Sequence, residues 1–337
     1  MKILERKRNT EGEFFVNFFE YCNMRCSFCW QDHNSLAGAE TIVERAYDIL
    51  DRVKKDHRSN FIINLMGGEL FADSLPDTLL GNYYEHVMIL KERFPEGKTF
   101  HVNWVTNLVY SESRLNQVIE LVEKCRSLVG VTSKITTSFD FSGRFNRQQK
   151  EIFRKNVVTV KPYLGTVSVV LTKPNIEKML TDKDELFSWL YDNDYYLYFD
   201  YYSPEKNFKL NAPSESLLQK GLLFLLEKYP KVYPIQGWIK EDQNKMTCMG
   251  SMIVDNKGYR GQCRALLTKD VTEGMKSKVT LDNNVSMEEA FVNKYNCSEC
   301  EFFHKCGMGC FLQHDFKGKE ELNECLYKEV FRKIDAI

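Results

Sequence analysis

Six short apolar segments, each followed by a more polar stretch, occupy residues 14 to 203 and constrain the fold more than any other feature. Strands are predicted at 14–20, 61–67, 100–106, 134–140, 166–172 and 195–201. The runs between them, such as 40–56 and 113–129, have the period of amphipathic helices. Because strands alternate with helices, the sequence predicts an α/β fold with a parallel sheet. Six units indicate a partial (β/α)6, TIM-like barrel, two units short of the closed form.

The alternation ends after the segment 201–216, which reads YYSPEKNFKLNAPSES. A length of 337 residues favours one large domain and a smaller one. We therefore predict a barrel domain over 1–205, a helical bridge over 206–245, and a small Cys-rich C-terminal domain over 246–337. Regular patterning is weak in the last of these.

The charge balance argues against two classes of partner. Charged residues make up 28% of the chain, yet the net charge is −1, so no overall field attracts nucleic acid or an anionic membrane. The first fifteen residues contain no apolar signal segment, and no apolar run is long enough to span a bilayer. We expect a cytoplasmic protein without a membrane partner and with no strong nucleic-acid signal.

Eleven cysteines are too many to be incidental in such a protein. A reducing compartment disfavours disulfides, and an odd total does not allow complete pairing. Ten of the eleven fall into ordered groups, which points to metal ligation. Cys125 stands alone in a helical run, and we predict that it is a buried core thiol.

The first group consists of Cys22, Cys26 and Cys29, spaced C-x3-C-x2-C directly after the first predicted strand. That position lies at the carboxyl edge of the sheet, where βα-barrel active sites form. Three thiolates on a four-iron cluster leave one iron open to a small molecule. The alternatives are a zinc site closed by His33 and accidental clustering.

The second group is an array of seven cysteines in the C-terminal region. One closed zinc site with a remnant would also use C-x2-C pairs, so zinc stays an alternative for this array. The seven residues are Cys248, Cys263, Cys297, Cys300, Cys306, Cys310 and Cys325.

The motif C-x3-C-x-aromatic-C after the first strand of a partial barrel resembles the radical S-adenosylmethionine (SAM) superfamily. The resemblance implies that Cys22, Cys26 and Cys29 bind a [4Fe-4S] cluster whose open iron chelates SAM. Reductive cleavage of SAM would then yield a 5′-deoxyadenosyl radical that abstracts a substrate hydrogen. In the same family the aromatic residue at the position of Phe28 packs on the adenine.

MGGEL, at 66–70, resembles the GGEP motif of that family, with Leu70 in place of proline. Two glycines let the backbone approach a ligand closely, and a glutamate accepts hydrogen bonds from an ammonium group. By the resemblance, the SAM amino group binds Gly67, Gly68 and Glu69.

Three further positions follow later strands. The resemblance implies that Asn107 and Ser138 contact the ribose or carboxylate of SAM and that the backbone of Leu171 contacts adenine. The polar and aromatic strand ends also supply candidate catalytic residues, none of which we assign to a definite role: Asp140, Asp200 and Tyr202.

The C-terminal array resembles the SPASM extension of radical SAM enzymes, which implies two auxiliary [4Fe-4S] clusters and three clusters in all. In the family connectivity, the first auxiliary cluster binds Cys248, Cys263 and Cys310. The second binds Cys297, Cys300, Cys306 and Cys325.

Two departures from the family pattern concern this array. Some relatives carry an eighth cysteine between the first two, and here 249–262 has none. Either an iron is open to substrate, or Met249, Met252 or Asp255 completes the first auxiliary cluster. Arg264 stands where sulfatase-maturing relatives carry an aspartate, which weakens that particular assignment.

The resemblance implies an oxidoreductase that oxidises or crosslinks a ribosomally made peptide or protein, with an external electron donor of flavodoxin or ferredoxin type. Strand 1 begins after thirteen residues, so we expect a separate leader-peptide-binding protein to recruit a peptide substrate. Within the enzyme class, the alternative is a dehydrogenase or epimerase of a small molecule or nucleotide. The alternative of another class is a zinc-stabilised adaptor without catalysis.

Overall fold

A computed structural model describes residues 11–29, 31–181, 184–202, 208–241, 251–254, 260–261, 292–293, 295–306 and 324–337. All six predicted strands are present, and they pair in parallel and in chain order to form a curled, open half-barrel. The predicted partial (β/α)6 barrel is thereby confirmed. The strands are β1 (Glu11–Asn17), β2 (Asn60–Met66), β3 (Thr99–Val105), β4 (Thr132–Ser138), β5 (Leu164–Leu171) and β6 (Leu197–Tyr201).

Helices alternate with these strands, as the sequence pattern predicts. Those of the barrel are α1 (Arg45–Lys55), α2 (Thr78–Arg93), α3 (Glu112–Arg126), α4 (Arg147–Thr159), α5 (Lys173–Thr181) and α6 (Glu185–Asp192). Those that follow are α7 (Phe208–Asn211), α8 (Glu215–Lys228), α9 (Ile235–Ile239) and, near the C-terminus, α10 (Leu326–Asp335). Short 3-10 turns lie at Ala39–Thr41, Lys161–Tyr163 and Cys297–Glu299. None of the helices in the described ranges combines the length and apolarity that a bilayer crossing requires.

The first strand begins and ends three residues earlier than predicted. It pairs with β2 from Glu11 onward, because Glu11 to Asn17 match Asn60 to Met66 in register. After Asn17 the chain leaves the sheet, and the amide of Glu20 donates to the carbonyl of Ser35 at 3.1 Å instead. Residues 18–20 therefore open the cysteine loop rather than close the strand.

The two faces of the sheet differ in chemistry. On one face, alternate side chains are buried against the helices, and Trp104 of β3 lies 6.0 Å from Tyr83 of α2 between ring centroids. The other face carries a ladder of amides, in which Asn103 donates to Asn64 and Asn64 donates to Glu13, both at 3.0 Å. The open face of the half-barrel therefore carries a row of hydrogen-bonded polar side chains.

The sheet continues beyond β1 into the Cys-rich region. Strand β7 (Ser251–Val254) pairs in parallel with β1, and β8 (Arg260–Gly261) pairs antiparallel with β7. This hairpin covers an edge that would otherwise expose unpaired backbone groups. The predicted domain boundaries near 205 and 245 stay predictions.

The C-terminal helix α10 packs against α8 and α9. Leu326, Val330, Phe331 and Ile334 lie on one buried stripe of α10, at the spacing of an amphipathic helix. Cys325 directly precedes this helix, and Tyr327 in its first turn contacts Tyr201 at the end of β6.

Candidate functional site

The loop that carries the first three cysteines folds back on itself directly after β1. The amide of Cys22 donates to the carbonyl of His33 at 3.0 Å, and the Glu20 amide donates to Ser35, as described above. The first cysteine of the triplet is therefore held near the carboxyl edge of the sheet.

The Gly-Gly-Glu segment after β2 joins this loop through its backbone. The amide of Gly68 donates to the carbonyl of Phe19 at 2.8 Å, and the amide of Glu69 donates to that of Tyr21 at 2.7 Å. A Cβ atom on Gly68 would lie 2.0 Å from the carbonyl oxygen of Tyr21. Glycine is required here because two backbones approach within contact distance.

The segments after β3 and β4 also contact the cysteine loop. Asn107 donates to the side chain of Asn23 at 2.8 Å and lies 3.9 Å from the Cys22 sulfur. After β4, the amide of Ser27 donates to the carbonyl of Gly143 at 3.3 Å. Three consecutive strand ends thus position one loop.

The three thiols of this loop differ in exposure. Cys22 is 8% exposed, whereas Cys26 and Cys29 are half-buried and joined by a turn in which the Cys29 amide donates to the Cys26 carbonyl at 3.1 Å. Burial, together with the smaller effect of the negative charges of Glu69, Cys26 and Cys29, raises the pKa of Cys22 to about 12. A metal that binds here must displace a proton from this thiol.

A cation faces the same thiols. Arg144 lies 5.6 Å above the ring centroid of Phe28 and forms an ion pair with Asp140. Burial acts to lower the pKa of Arg144, but the charges of Asp140, Cys26 and Cys29 together raise it. Sequence reasoning missed this residue, because 140–144 form no helix whose period would place Arg144 beside Asp140.

Glu69 connects the ends of two strands. Its carboxylate is 1% exposed and accepts hydrogen bonds from the Phe71 amide at 3.0 Å, the Thr106 hydroxyl at 2.6 Å and the Asn107 amide at 2.6 Å. Burial raises the pKa of Glu69 to about 7, although these three donors oppose the rise. The same carboxylate was predicted from the resemblance to bind the SAM amino group, and that role stays a prediction.

The other predicted cofactor-binding residues lie at the same edge. Gly67 accepts a hydrogen bond from Gln31 at 2.9 Å, and Gln31 was not singled out from sequence. Ser138 is the last residue of β4, and Leu171, at 1% exposure, is the last of β5. The structure places these residues together, while their contacts with SAM stay predictions.

The three catalytic candidates have different environments. Both oxygens of Asp140 are engaged, one by Arg144 and the other by the Asn175 amide at 2.5 Å. Burial raises the pKa of Asp140, and Arg144 and Asn175 act against that rise. Asp200 is exposed on β6, and Tyr202 is 2% exposed just after it. A catalytic role for any of them stays a prediction.

Four cysteines of the C-terminal array line a second site. They share a pocket of about 380 Å³, open mouth included, with an aromatic wall. The lining residues are Tyr295, Cys297, Cys300, Phe302, Phe303, Cys306, Cys325, Tyr327, Lys328 and Phe331. We call this the four-cysteine pocket.

Few elements of regular structure hold this pocket. A 3-10 turn spans Cys297–Glu299, and the Cys306 amide donates to the Phe302 carbonyl at 3.0 Å. Lys305, 5% exposed, forms an ion pair with Asp335 at the end of α10. Cys325 caps the other end of that helix, where the helix dipole favours negative charge.

Both cysteine groups contain the donor atoms that a metal centre would need. Within the described ranges, no three Cys, His, Asp or Glu side chains are arranged as they stand to hold a metal ion. The donor types nevertheless suit a thiolate-bound cluster, since each group gathers three or four thiols in one loop or pocket. To bind one metal cluster, the thiols of either group must rotate toward a common point.

Several predicted residues lie outside the described residues. These are Cys248, Cys263 and Cys310 of the first auxiliary set, together with Met249, Asp255 and Arg264. Met252 lies in β7, opposite Phe14 of β1, and its role as a ligand stays a prediction. Cys125, in contrast, is fully buried in α3, as predicted for a core thiol, and burial raises its pKa to about 12.

Comparison with known proteins is sparse. No family model and no curated protein sequence matches the chain. The crystal structure of Streptococcus suis SuiB is similar with a TM-score of 0.48 and 14% identity, over 93% of this chain and 76% of that one. A similarity of this size shows neither family nor function.

Proposed function

We propose that this chain is a radical SAM oxidoreductase of SPASM type that oxidises or crosslinks a peptide or protein. The observation that carries the proposal is the junction of the cysteine loop with the ends of β2, β3 and β4. It brings Cys22, Gly68 and Asn107 to one edge of a partial barrel, which suits the roles that the sequence resemblance implies for them.

The residues at this edge would have separate roles in binding the cluster and SAM. Cys22, Cys26 and Cys29 would ligate a [4Fe-4S] cluster, and the Gly67–Glu69 segment would bind the amino group of SAM. When bound, the cluster and SAM would supply a 5′-deoxyadenosyl radical that abstracts a substrate hydrogen. Arg144 would balance the negative charge of the thiolates.

The four-cysteine pocket supports the oxidative part of the proposal. Four thiols suffice to close a [4Fe-4S] cluster without an open iron, which suits electron transfer rather than substrate binding. Tyr327 lines this pocket and its ring lies 6.1 Å from that of Tyr201 at the end of β6, so the pocket adjoins the barrel. An electron from a substrate radical would have a short path to it.

A peptide substrate is supported by the polar open face of the half-barrel. The amides of Asn64 and Asn103 alternate donor and acceptor groups, as a peptide backbone does. The flavodoxin- or ferredoxin-type electron donor and the leader-binding partner remain part of the proposal.

Anaerobic reconstitution tests the proposal directly. Purified protein is incubated with iron and sulfide, and iron, sulfide and zinc per chain are measured, followed by reduction with dithionite in the presence of SAM. We expect about twelve irons per chain, from three four-iron clusters, and formation of 5′-deoxyadenosine and methionine. Zinc with little iron, in protein never exposed to air, would contradict the enzyme and favour the adaptor.

A further inference from the structure

Two tyrosine hydroxyls are buried between the barrel and the four-cysteine pocket. Tyr201 is the last residue of β6, and Tyr327 lies in the first turn of α10, two residues after Cys325. Their rings meet edge to face, with centroids 6.1 Å apart and planes at 83°. Each hydroxyl oxygen exposes less than 1 Å² and makes no hydrogen bond of normal geometry within the described residues, although the two hydroxyls lie close enough to affect each other's pKa.

A buried hydroxyl without a partner is costly. Each one destabilises the fold relative to a paired group, whereas phenylalanine would fill the same space without that penalty. An ordinary tyrosine hydroxyl keeps its proton at neutral pH, so both side chains are hydrogen-bond donors.

Sulfur atoms of the pocket are the nearby acceptors. Tyr327 lines the four-cysteine pocket together with its cysteines, and the ring of Tyr201 lies against that of Tyr327. A thiolate bound to iron has lone pairs free to accept an O–H donor. Such donors stabilise the added negative charge when an iron–sulfur cluster is reduced.

We propose that Tyr201 and Tyr327 donate hydrogen bonds to the sulfur ligands of the cluster in the four-cysteine pocket and raise its reduction potential. The inference rests on the proposed function, because it requires an iron–sulfur cluster at Cys297, Cys300, Cys306 and Cys325.

The surroundings of the pair make such donors effective. Between ring centroids, Trp238 lies 6.2 Å from Tyr327 and 5.2 Å from Phe331. Phe302 in turn stacks on Phe331 at 5.5 Å. An apolar wall lowers the local dielectric constant, which strengthens each hydrogen bond to sulfur. Without such hydrogen bonds, the same wall disfavours the added negative charge of the reduced cluster. Tyr201 is the last residue of β6. The cluster whose reduction potential it raises would therefore lie beside the end of the barrel from which we expect electrons to leave.

The test measures the midpoint potential of this cluster by EPR-monitored redox titration of the full-length, anaerobically reconstituted protein. The signal is isolated by replacing with alanine the ligands predicted for the other clusters: Cys22, Cys26, Cys29, Cys248, Cys263 and Cys310. Tyr201→Phe, Tyr327→Phe and the double variant are compared in that background. Tyr195→Phe is the matched control, because Tyr195 is also buried but its hydroxyl lies 3.5 Å from the Val157 carbonyl in the barrel.

We expect each single variant to lower the equilibrium constant for reduction, and the double variant to lower it by up to about tenfold, a fall of about 59 mV. The control should leave the potential unchanged, and iron content should stay constant. Unchanged potentials in a fully loaded double variant would overturn the inference while leaving the proposed function intact. Absence of iron from the tyrosine-intact background would instead show that the four-cysteine pocket binds no cluster and that this part of the proposed function is wrong.

Discussion

The loop of Cys22, Cys26 and Cys29 and the four-cysteine pocket are both groups of thiols, but different forces hold them. The loop is fastened by hydrogen bonds to the ends of three parallel strands. The pocket has one 3-10 turn, one buried ion pair and an aromatic wall around its thiols. The barrel therefore preorganises the first site, whereas the second depends more on whatever its thiols bind.

The electrostatic surroundings differ in the same sense. The loop faces the Arg144 guanidinium, which compensates thiolate charge even before a ligand binds. The pocket is lined by Tyr327, whose ring contacts that of Tyr201, and the proposed role of both buried hydroxyls requires charged sulfur. A substrate-binding cluster and an electron-transfer cluster would need these two kinds of environment.

The largest expected effect separates the sites by their role. Cys26→Ala should abolish SAM cleavage, because the loop would lose one of three ligands and the site for SAM with it. Cys125→Ala is the matched control, since Cys125 is buried in α3 away from both groups, and it should retain cleavage. Measurement of 5′-deoxyadenosine after reduction checks both variants, and cleavage by the Cys26 variant at the control rate would contradict the assignment.

Loss of a ligand in the four-cysteine pocket should reduce iron content and substrate turnover rather than abolish SAM cleavage. We expect Cys300→Ala to bind about four fewer irons than the parent protein while some SAM cleavage continues, uncoupled from turnover of substrate. Iron analysis and the same 5′-deoxyadenosine measurement check this. Complete loss of cleavage in a folded Cys300 variant would show that the two sites are not separable.

Metal removal tests which site is preorganised. Comparison of amide hydrogen exchange with and without the iron should show that residues 297–306 and 324–337 gain most protection on reconstitution. Strands β2 to β5 should change little, because the ladder and the helices already hold them. Equal gains in protection from exchange in both regions would contradict the conclusion that the barrel preorganises the first site.

The close approach at Gly68 should be sensitive to one added carbon. Gly68→Ala places a Cβ 2.0 Å from the Tyr21 carbonyl, so we expect the free energy of unfolding to fall by about 3 kcal/mol or more. Gly81→Ala, on helix α2 with no atom within 4 Å of its added carbon, should instead stabilise by up to about 1 kcal/mol. Urea unfolding of both variants measures the contrast.

The smallest effect concerns the pH dependence of stability. Because burial raises the pKa of Glu69 from 4.5 to about 7, its contribution to stability is complete below pH 4.5 and is lost as the pH rises through 7. The stability of the iron-free parent relative to Glu69→Gln should fall by about 3 kcal/mol at most over that interval. Urea unfolding at pH 5 and pH 8 checks the sign, and a difference that grows with pH would contradict it.

Much of the fold could be predicted because it depends on neighbours in the chain. Strands with a two-residue period and helices with a 3.6-residue period can be recognised from local patterns, and all six strands lie within about three residues of their predicted ends. The candidate site was less predictable. Gln31, Thr106 and Arg144 have no distinctive local pattern, so their roles at the loop became visible only when the strand ends were placed side by side.

The sequence by itself determined the order of strands and helices, the two groups of cysteines, and the loop that must follow β1. These features depend on residue type and spacing, which are properties of the chain. Only the tertiary structure decided that Gly68 touches Tyr21, that Arg144 faces the thiols, and that Tyr201 meets Tyr327 beside the four-cysteine pocket. Each of these contacts joins segments distant in sequence, so it depends on how the whole sheet and the C-terminal helix pack.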